Sequence, residues 1–253
     1  MTQQDRRLFL IKYLLGEQPQ YRGMQIPQSE AEQRRMLRSL MNVRHPKVIG
    51  DDFLAVQDEY LQSVTADKGI TDIANLEQLE DGIYLWQGDI TTLKCDAIVN
   101  AANSGMTGCY CPCHGCIDNA IHTYAGIQLR LECAEIMEKQ GYAEPTGKAK
   151  ITKAYNLPCK HVLHTVGPII SGKLTKEDEE LLASCYRSCL EIARENGVKS
   201  VAFCCISTGE FHFPNDSAAE IAVQTVRECK GEIEVIFNVF KDIDYEIYRN
   251  LLR

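Results

Sequence analysis

The spacing of apolar residues divides the chain into a helical first part and a second part in which strands and helices alternate. Apolar residues recur at helical spacing in residues 8–15 and again in 36–41, the second run following the capping-box sequence Ser29 to Glu32. A third helical pattern covers residues 51–64. We therefore predict a helical N-terminal extension, assigned to residues 1–77, that packs against the rest of the protein.

From residue 83 onward, short β-rich runs alternate with longer helical patterns. Strands are predicted at 83–86, 97–100, 148–155, 161–166, 201–206 and 235–240, and helices at 117–140, 175–195, 216–230 and 244–252. The run 201–206 is apolar almost throughout, which is typical of a strand buried on both faces. Residues 78–253 are therefore expected to form a three-layer α/β/α domain with a mixed central sheet.

Composition and charge narrow the range of partners. Of the 253 residues, 45% are hydrophobic and 25% are charged, and the net charge is −8. A negative balance argues against nucleic acid as a partner, because binding phosphate backbones requires clustered Lys and Arg. No apolar run approaches the roughly 18 residues that span a membrane, and no export signal is recognisable, so we expect a cytoplasmic protein without a membrane partner. In a reducing compartment, the 12 cysteines are expected to be buried thiols or metal ligands rather than disulfides.

One short loop concentrates metal-binding side chains between a predicted strand and a predicted helix. It carries Cys109, Cys111, Cys113, His114 and Cys116. The Cys-x4-His-x-Cys spacing of residues 109, 114 and 116 is compact enough for three ligands to meet on one zinc ion. Such an open site is the favoured interpretation, because it leaves a position for water or substrate. Two alternatives are a closed structural site with Cys111 or Cys113 as the fourth ligand, and a loop without metal.

Several polar residues near this loop are candidates for chemistry. Asp118 follows at the start of the predicted helix, where it could act as a base, orient water or merely cap the helix. His122 and His164 lie in apolar patterns and are expected to be packed, hydrogen-bonded histidines. A second loop, Ser207 to Pro214, offers hydroxyls and backbone N–H groups suited to phosphate, and aromatic faces suited to a ribose or base. The role of His212 in that loop is left open.

At the level of ordered motifs, the chain from about residue 80 onward resembles a macrodomain. The motifs are Gly88-Asp89-Ile90-Thr91, Val99-Asn100-Ala-Ala-Asn103-Ser104, Ile117-Asp118-Asn-Ala-Ile-His122, His164-Thr-Val-Gly-Pro168 and Ser207-Thr-Gly209. The Gly-Cys…His-x-Cys insertion and the helical extension are similar to those of zinc-dependent macrodomains of bacteria and fungi. Bacterial members of that group are linked to a sirtuin-type ADP-ribosyltransferase and to a lipoylated glycine-cleavage-H-like carrier protein.

The resemblance implies a role for each matching position. Asp89, with Ile90 beside it, would accept a hydrogen bond from the adenine amino group, and Asn238 would border the adenosine together with Phe240. The diphosphate would lie on the backbone amides of Ser207, Thr208, Gly209, Glu210 and Phe211. Asn103 and Phe213 would contact the distal ribose. Zinc (Zn2+) would be held by Cys109, His114 and Cys116, with Asp118 and Asn103 as catalytic residues. One departure is His212, which stands where many macrodomains have a glycine.

The activity expected from this resemblance is removal of single ADP-ribose groups from protein side chains, with an O-linked acidic acceptor and a sirtuin-type enzyme as the source of the modification. The alternative is a non-catalytic module that binds ADP-ribose and uses zinc only to fold the loop. The open spacing of the three ligands beside Asp118 favours hydrolysis. A zinc-stabilised RNA-binding domain is opposed by the negative net charge.

Overall fold

Three helices make up the N-terminal extension in the computed structural model, which describes residues 1–252. They are α1 (Gln3–Glu17), α2 (Glu30–Val43) and α3 (Asp51–Lys68). The hydroxyls of Thr2 and Ser29 cap the first two helices by accepting a backbone N–H from the first turn. The capping box predicted at Ser29 therefore begins a helix, whereas α3 continues past the predicted end at residue 64.

A mixed seven-stranded sheet forms the centre of the rest of the chain. The strands are β1 (Thr71–Asp72), β2 (Gln78–Glu80), β3 (Ile83–Gln87), β4 (Leu93–Lys94), β5 (Ala97–Ala101), β6 (Ala149–Lys153), β7 (His161–Thr165), β8 (Ser200–Phe203) and β9 (Glu234–Val239). The sheet has the order β2-β3-β9-β8-β5-β7-β6. Its inner strands run parallel, while β2 and β6 are antiparallel edges. The remaining strands, β1 and β4, pair with each other in parallel.

Five further helices complete the domain: α4 (Ile117–Ala125), α5 (Ile127–Gln140), α6 (Lys176–Glu195), α7 (Asn215–Cys229) and α8 (Asp242–Leu251). All residues of β8 and nearly all of β5 and β9 are buried, because helices cover both faces of the sheet. The predicted α/β fold with a mixed sheet and a helical extension is thus confirmed.

The single helix predicted at 117–140 is wrong, because Gly126 breaks it into α4 and α5. Gly126 has a φ of 98°, and a Cβ on it would lie 2.7 Å from Nε2 of Gln57 in α3. The side chain of Gln57 instead accepts a hydrogen bond from the N–H of Ile127, at 3.0 Å. The break is therefore where the extension docks onto the domain.

Two main groups of buried apolar side chains stabilise the chain. The larger one surrounds the sheet, and the smaller one lies between α1, α2 and α3 and includes Ile127 of α5. Because Ile127 belongs to the smaller group, the extension and the domain share apolar surface. None of the helices in residues 1–252 is long and apolar enough to span a membrane.

Candidate active site

A cleft of about 1000 Å³ opens where the parallel strands β3, β5, β8 and β9 end. Ligands of open α/β sheets bind at this edge, and the volume is at the upper end of the usual range for ligand pockets. The cleft brings together all but one of the site residues predicted from the sequence. Its lining includes Asp89, Ile90, Asn103, Cys109, His114, Cys116, Asp118, Ser207, Thr208, Gly209, Glu210, Phe211 and Asn238.

The three expected metal ligands converge on one point of the cleft wall. The ligand atoms of Cys109, His114 and Cys116 all lie within 4.8 Å of one another. The distance from Sγ of Cys109 to Nδ1 of His114 is 3.7 Å. Tetrahedral zinc, with Zn–S near 2.3 Å and Zn–N near 2.0–2.1 Å, places such atoms about 3.6 Å apart. The donor set and its spacing therefore fit zinc.

The other ring nitrogen of His114 faces a carboxylate. Nε2 of His114 lies 3.6 Å from Oε1 of Glu210 in the loop after β8. A carboxylate in this position orients a ligating histidine and leaves Nδ1 to face the metal. This contact also connects the cysteine-rich loop to the predicted phosphate loop.

The two remaining cysteines of the loop lie outside this group. Cys111 is exposed, and Sγ of Cys113 lies 3.2 Å from Oγ of Ser39 in α2. Within residues 1–252, neither cysteine joins the three ligand atoms that lie within 4.8 Å of one another.

Burial raises the pKa of the Cys116 thiol to about 12. The backbone N–H of Asn119 opposes this shift, because it donates a hydrogen bond that favours the thiolate.

A buried carboxylate stands directly beside the three converging residues. The structure makes Cys116, not Asp118, the N-cap of α4, because Sγ of Cys116 accepts the N–H of Asn119 at 3.4 Å. Asp118 is instead 5% exposed and accepts hydrogen bonds from Asn100 at 2.8 Å and Asn103 at 3.3 Å. Burial raises the pKa of Asp118 to about 6, although these hydrogen bonds oppose the shift. Asp118 is therefore held by side chains and is free of a capping role.

Two buried histidines lie behind Asp118. The prediction of a packed, hydrogen-bonded ring is confirmed for His164 but is wrong for His122, whose ring nitrogens have no hydrogen-bond partner within residues 1–252. His164 contacts Asn100 through Nδ1, at 3.1 Å, and Thr152 through Nε2, at 2.9 Å. His122 lies 3.5 Å from the carboxylate of Asp118 through Nε2. Burial lowers the pKa of His164 to about 3 and that of His122 well below its usual value, so both rings are neutral at pH 7. His164 is therefore packed and hydrogen-bonded, whereas His122 is packed without a hydrogen bond in the described part of the chain, and the ligand atoms of both lie within 4.8 Å of each other and of Sγ of Cys133.

Backbone N–H groups of the loop after β8 point to an anion site. Within residues 1–252, the N–H of Thr208 bonds to the carbonyl of Cys205 at 3.4 Å, whereas the N–H groups of Gly209, Glu210 and Phe211 donate to no backbone carbonyl. Successive free N–H groups form an anion-binding concavity. The loop leaves β8 through Ser207, at a left-handed φ of 65°, and a Cβ on Gly167 would lie 2.0 Å from Oγ of Ser207. A side chain at position 167 would therefore force Ser207 to shift.

Phe213 is the predicted site residue that the structure does not place on the cleft. Its side chain is 1% exposed and packs in the core around the sheet. The backbone N–H of Phe213 bonds to the carbonyl of Ser207 at 3.0 Å, which turns the end of the loop inward. Phe211 is the aromatic side chain of this loop that lines the cleft. His212 between them is exposed and has a left-handed φ of 56°.

Asp89 and a lysine from the extension, Lys68, also line the cleft. Asp89 accepts hydrogen bonds from Thr91 and, through Oδ2, from Lys68 of α3 at 2.8 Å. Nζ of Lys68 also lies 3.4 Å from the centre of the Tyr124 ring. Burial alone would raise the pKa of Asp89, but the bonds from Lys68 and Thr91 outweigh it and leave the pKa below its usual value. At the rim, the side chain of Phe240 is 75% exposed.

The sequence did not predict that residues of the extension line the cleft. Arg38 of α2 and Lys68 of α3 both line it. Each occupies an ordinary surface position in an amphipathic helix, and no local motif marks it. Only the docking of the extension, which depends on contacts distant in sequence, brings them to the site.

Comparison with known proteins places this geometry in a family. A Macro domain family model matches residues 99–222. A "Protein-ADP-ribose hydrolase" of Treponema medium is 60% identical over 260 residues, with full coverage of both chains. A protein of the same name from Staphylococcus aureus (strain MSSA476) is 48% identical and covers 94% of this chain and 93% of its own.

Solved structures show the same fold. The macrodomain of Trypanosoma brucei in complex with ADP-ribose superimposes with a TM-score of 0.64 at 29% sequence identity. The alignment covers 85% of this chain and 95% of the trypanosomal one.

Proposed function

Because the chain belongs to the Macro domain family, we propose that it is a zinc-dependent hydrolase that removes mono-ADP-ribose from modified protein side chains. Its relatives are named protein-ADP-ribose hydrolases, and the chain is an enzyme of that class. The finer parts of the proposal are the zinc ion, the linkage that is cut and the roles of individual residues. The observation that carries them is the convergence of Cys109, His114 and Cys116 beside the buried Asp118.

ADP-ribose would bind in the cleft in one orientation. The free N–H groups of residues 209–211 would hold the diphosphate, because their partial positive charges stabilise an anion. Asp89, Ile90 and Asn238 would surround the adenosine, with Phe240 available at the rim for stacking. The distal ribose would then lie between Asn103 and the cysteine-rich loop, with its modified carbon at the end of the cleft where Asp118 stands.

Asp118 and Asn103 would carry the chemistry done by side chains. The carboxylate of Asp118 is fixed by two amides, so it can accept a proton from water or from a ribose hydroxyl in a defined direction. Asn103 bonds both to Asp118 and to the carbonyl of Gly108, at 3.2 Å. From this position beside the loop, Asn103 would orient the sugar.

Cys109, His114 and Cys116 would hold the zinc ion, with Glu210 orienting His114. When bound, zinc supplies Lewis-acid polarisation of an oxygen of the substrate or of water. With only three protein ligands, such a site would remain accessible to an oxygen of the substrate or of water. The chain's own residues supply the rest, namely binding of the diphosphate, orientation of the ribose and acceptance of the proton.

We further propose that the linkage is an ester to an acidic side chain, placed there by a sirtuin-type ADP-ribosyltransferase. A lipoylated glycine-cleavage-H-like protein would be one carrier of the modification. These parts rest on the resemblance of the zinc loop and the helical extension to zinc-dependent macrodomains. They are tested by offering the enzyme protein substrates that carry ADP-ribose on glutamate, serine or arginine. Release from glutamate alone supports the proposed ester.

Metal removal tests the zinc dependence. The protein is stripped with a strong chelator, its zinc content is measured, and release of ADP-ribose from a mono-ADP-ribosylated protein is followed before and after Zn2+ is returned. We expect release to stop on stripping and to recover with Zn2+ but not with Mg2+. Release that survives verified stripping would remove zinc from the proposal. If the protein binds ADP-ribose but releases it from none of the linkages, the chain is an ADP-ribose-binding module instead.

A further inference from the structure

Helix α2 of the extension contacts the cysteine-rich loop through side chains on one of its faces. Arg38 contacts the carbonyl of His114, and Ser39 and Asn42 both contact Cys113. Residues at positions i and i+4 of a helix lie on the same side, as Arg38 and Asn42 do. The loop that carries the metal ligands is thus supported by a helix outside the α/β domain.

Arg38 connects the loop to α4. Its Nη2 donates to the carbonyl of His114 at 3.0 Å, and Nε and Nη2 donate to Oδ1 of Asn119 at 3.1 and 2.7 Å. Asn119 is fully buried, and its own amide donates to the carbonyl of Cys111 at 3.0 Å. The guanidinium of Arg38 therefore fixes His114 relative to α4, whose N-cap is Cys116.

Asn42 makes a second connection of the same kind. Its side chain is 1% exposed, accepts the backbone N–H of Cys113 at 2.9 Å and donates to Oγ1 of Thr123 in α4 at 3.0 Å. Cys113 has a left-handed φ of 54°, a conformation that costs a non-glycine residue energy. The bond that Cys113 donates to Asn42 holds the loop in that conformation.

The first ligand is tied to the same helix through Arg130 of α5. Arg130 donates to the carbonyl of Asn42 at 2.5 Å and of Arg44 at 2.8 Å, at the end of α2, and to the carbonyl of Cys109 at 3.3 Å. The guanidinium also lies 4.2 Å from the centre of the Tyr110 ring. The backbone of both Cys109 and His114 is therefore fixed with reference to α2.

We propose that Arg38 and Asn42 are positioning residues for the metal centre, so that zinc affinity depends on helix α2 of the extension. This inference rests on the proposed function in one respect, namely that Cys109, His114 and Cys116 bind zinc. A loop of this length loses conformational entropy when its ligands close around an ion. Contacts that fix the loop beforehand reduce that loss, and removing groups that support metal ligands typically weakens metal binding about 10- to 100-fold.

The test compares zinc affinities of variants on one helix. Zn2+ binding is measured by competition with a chromophoric chelator for the wild type, Arg38→Ala, Arg38→Lys and Asn42→Ala. The matched control is Arg34→Ala, because Arg34 lies one turn earlier, is 53% exposed and pairs with Glu30. We expect about 10- to 100-fold weaker zinc binding in Arg38→Ala and Asn42→Ala, and about wild-type binding in the control. Arg38→Lys should fall between, since an ammonium does not reproduce the forked donor of arginine.

A second readout separates positioning from a general effect on folding. Co2+ substitution reports the geometry of the sulfur and nitrogen ligands through its absorption spectrum, and near-ultraviolet circular dichroism reports the fold. A changed Co2+ spectrum in a variant that retains the wild-type dichroism supports positioning. Unchanged zinc affinity in both alanine variants overturns the inference while leaving the proposed function intact. A wild-type protein that binds no zinc overturns both.

Discussion

Asn100 donates its side-chain amide to Asp118 at 2.8 Å, and the same nitrogen lies 3.1 Å from Nδ1 of His164. Because burial lowers the pKa of His164 to about 3, its ring is neutral and Nδ1 can accept the second amide hydrogen. The opposite orientation of the amide would place its oxygen against the Asp118 carboxylate. His164 thus fixes Asn100, and Asn100 fixes Asp118.

Replacing Asn100 should reduce hydrolysis more than binding. Asn100→Ala removes one of the two amides that hold Asp118, and a hydrogen bond to a charged group contributes about 1.5–3 kcal/mol. We expect kcat to fall about 10- to 100-fold, with little change in ADP-ribose affinity by calorimetry. Asn196→Ala, at an exposed position after α6, serves as the control. Wild-type kcat in Asn100→Ala would mean that the reaction does not depend on how Asp118 is held.

The buried His164 predicts how stability depends on pH. Its pKa is about 3 in the folded protein and 6.5 in the unfolded chain, so below pH 6.5 the unfolded chain binds a proton that the folded protein does not. Above pH 6.5 this difference does not lower the free energy of unfolding. As the pH falls from 6.5 toward 3, the free energy of unfolding decreases by up to about 1.4 kcal/mol per pH unit. Urea unfolding of metal-free protein at pH 7, 6 and 5 measures this slope.

His164→Asn keeps an acceptor for Asn100 and removes the titrating ring, so it should flatten the slope by about that amount. Equal slopes in the wild type and His164→Asn would show that His164 does not titrate on unfolding.

The left-handed backbone at His212 predicts a stabilising substitution. A non-glycine residue at φ 56° is strained by about 1–2 kcal/mol, and glycine returns part of the gain through its greater freedom in the unfolded chain. His212→Gly should therefore raise the free energy of unfolding by about 0.5–1 kcal/mol in urea titrations. His212→Ala retains the strain and should not. Destabilisation by glycine would indicate that the imidazole makes a stabilising contact.

The bond between Gln57 and Ile127 predicts how firmly the extension is attached. Gln57→Ala leaves the N–H of Ile127 buried without its acceptor, which costs about 1–3 kcal/mol of stability. Chemical unfolding measures the loss, and Gln20→Ala, at an exposed position, is the control. An unchanged unfolding free energy would contradict the account of an extension fixed to α5.

Local sequence patterns were sufficient to predict most of the fold and part of the site. The helix predicted to begin at residue 175 is present as α6, and Thr175 forms a complete capping box at its start; such a cap depends only on the next few residues. The convergence of Cys109, His114 and Cys116 could likewise be anticipated, since all three lie in one short loop.

Features that depend on distant contacts could not be predicted in this way. The helix break at Gly126 follows from the close approach of Gln57. A single glycine within a helical pattern is not sufficient to predict such a break. The inward turn of Phe213 follows from how its loop closes on Ser207. Arg38 and Lys68 reach the cleft only because the extension docks beside it.

The central claim, that three side chains hold a catalytic zinc ion, is tested most directly by Cys116→Ala. Zinc content, ADP-ribose affinity and release of ADP-ribose from a modified protein are measured in parallel, with Cys111→Ala as the control from the same loop. We predict that Cys116→Ala loses zinc and at least about 100-fold in hydrolysis but retains most of its ADP-ribose affinity, while Cys111→Ala behaves as the wild type. Wild-type hydrolysis by Cys116→Ala that is verified to be free of zinc would contradict the claim.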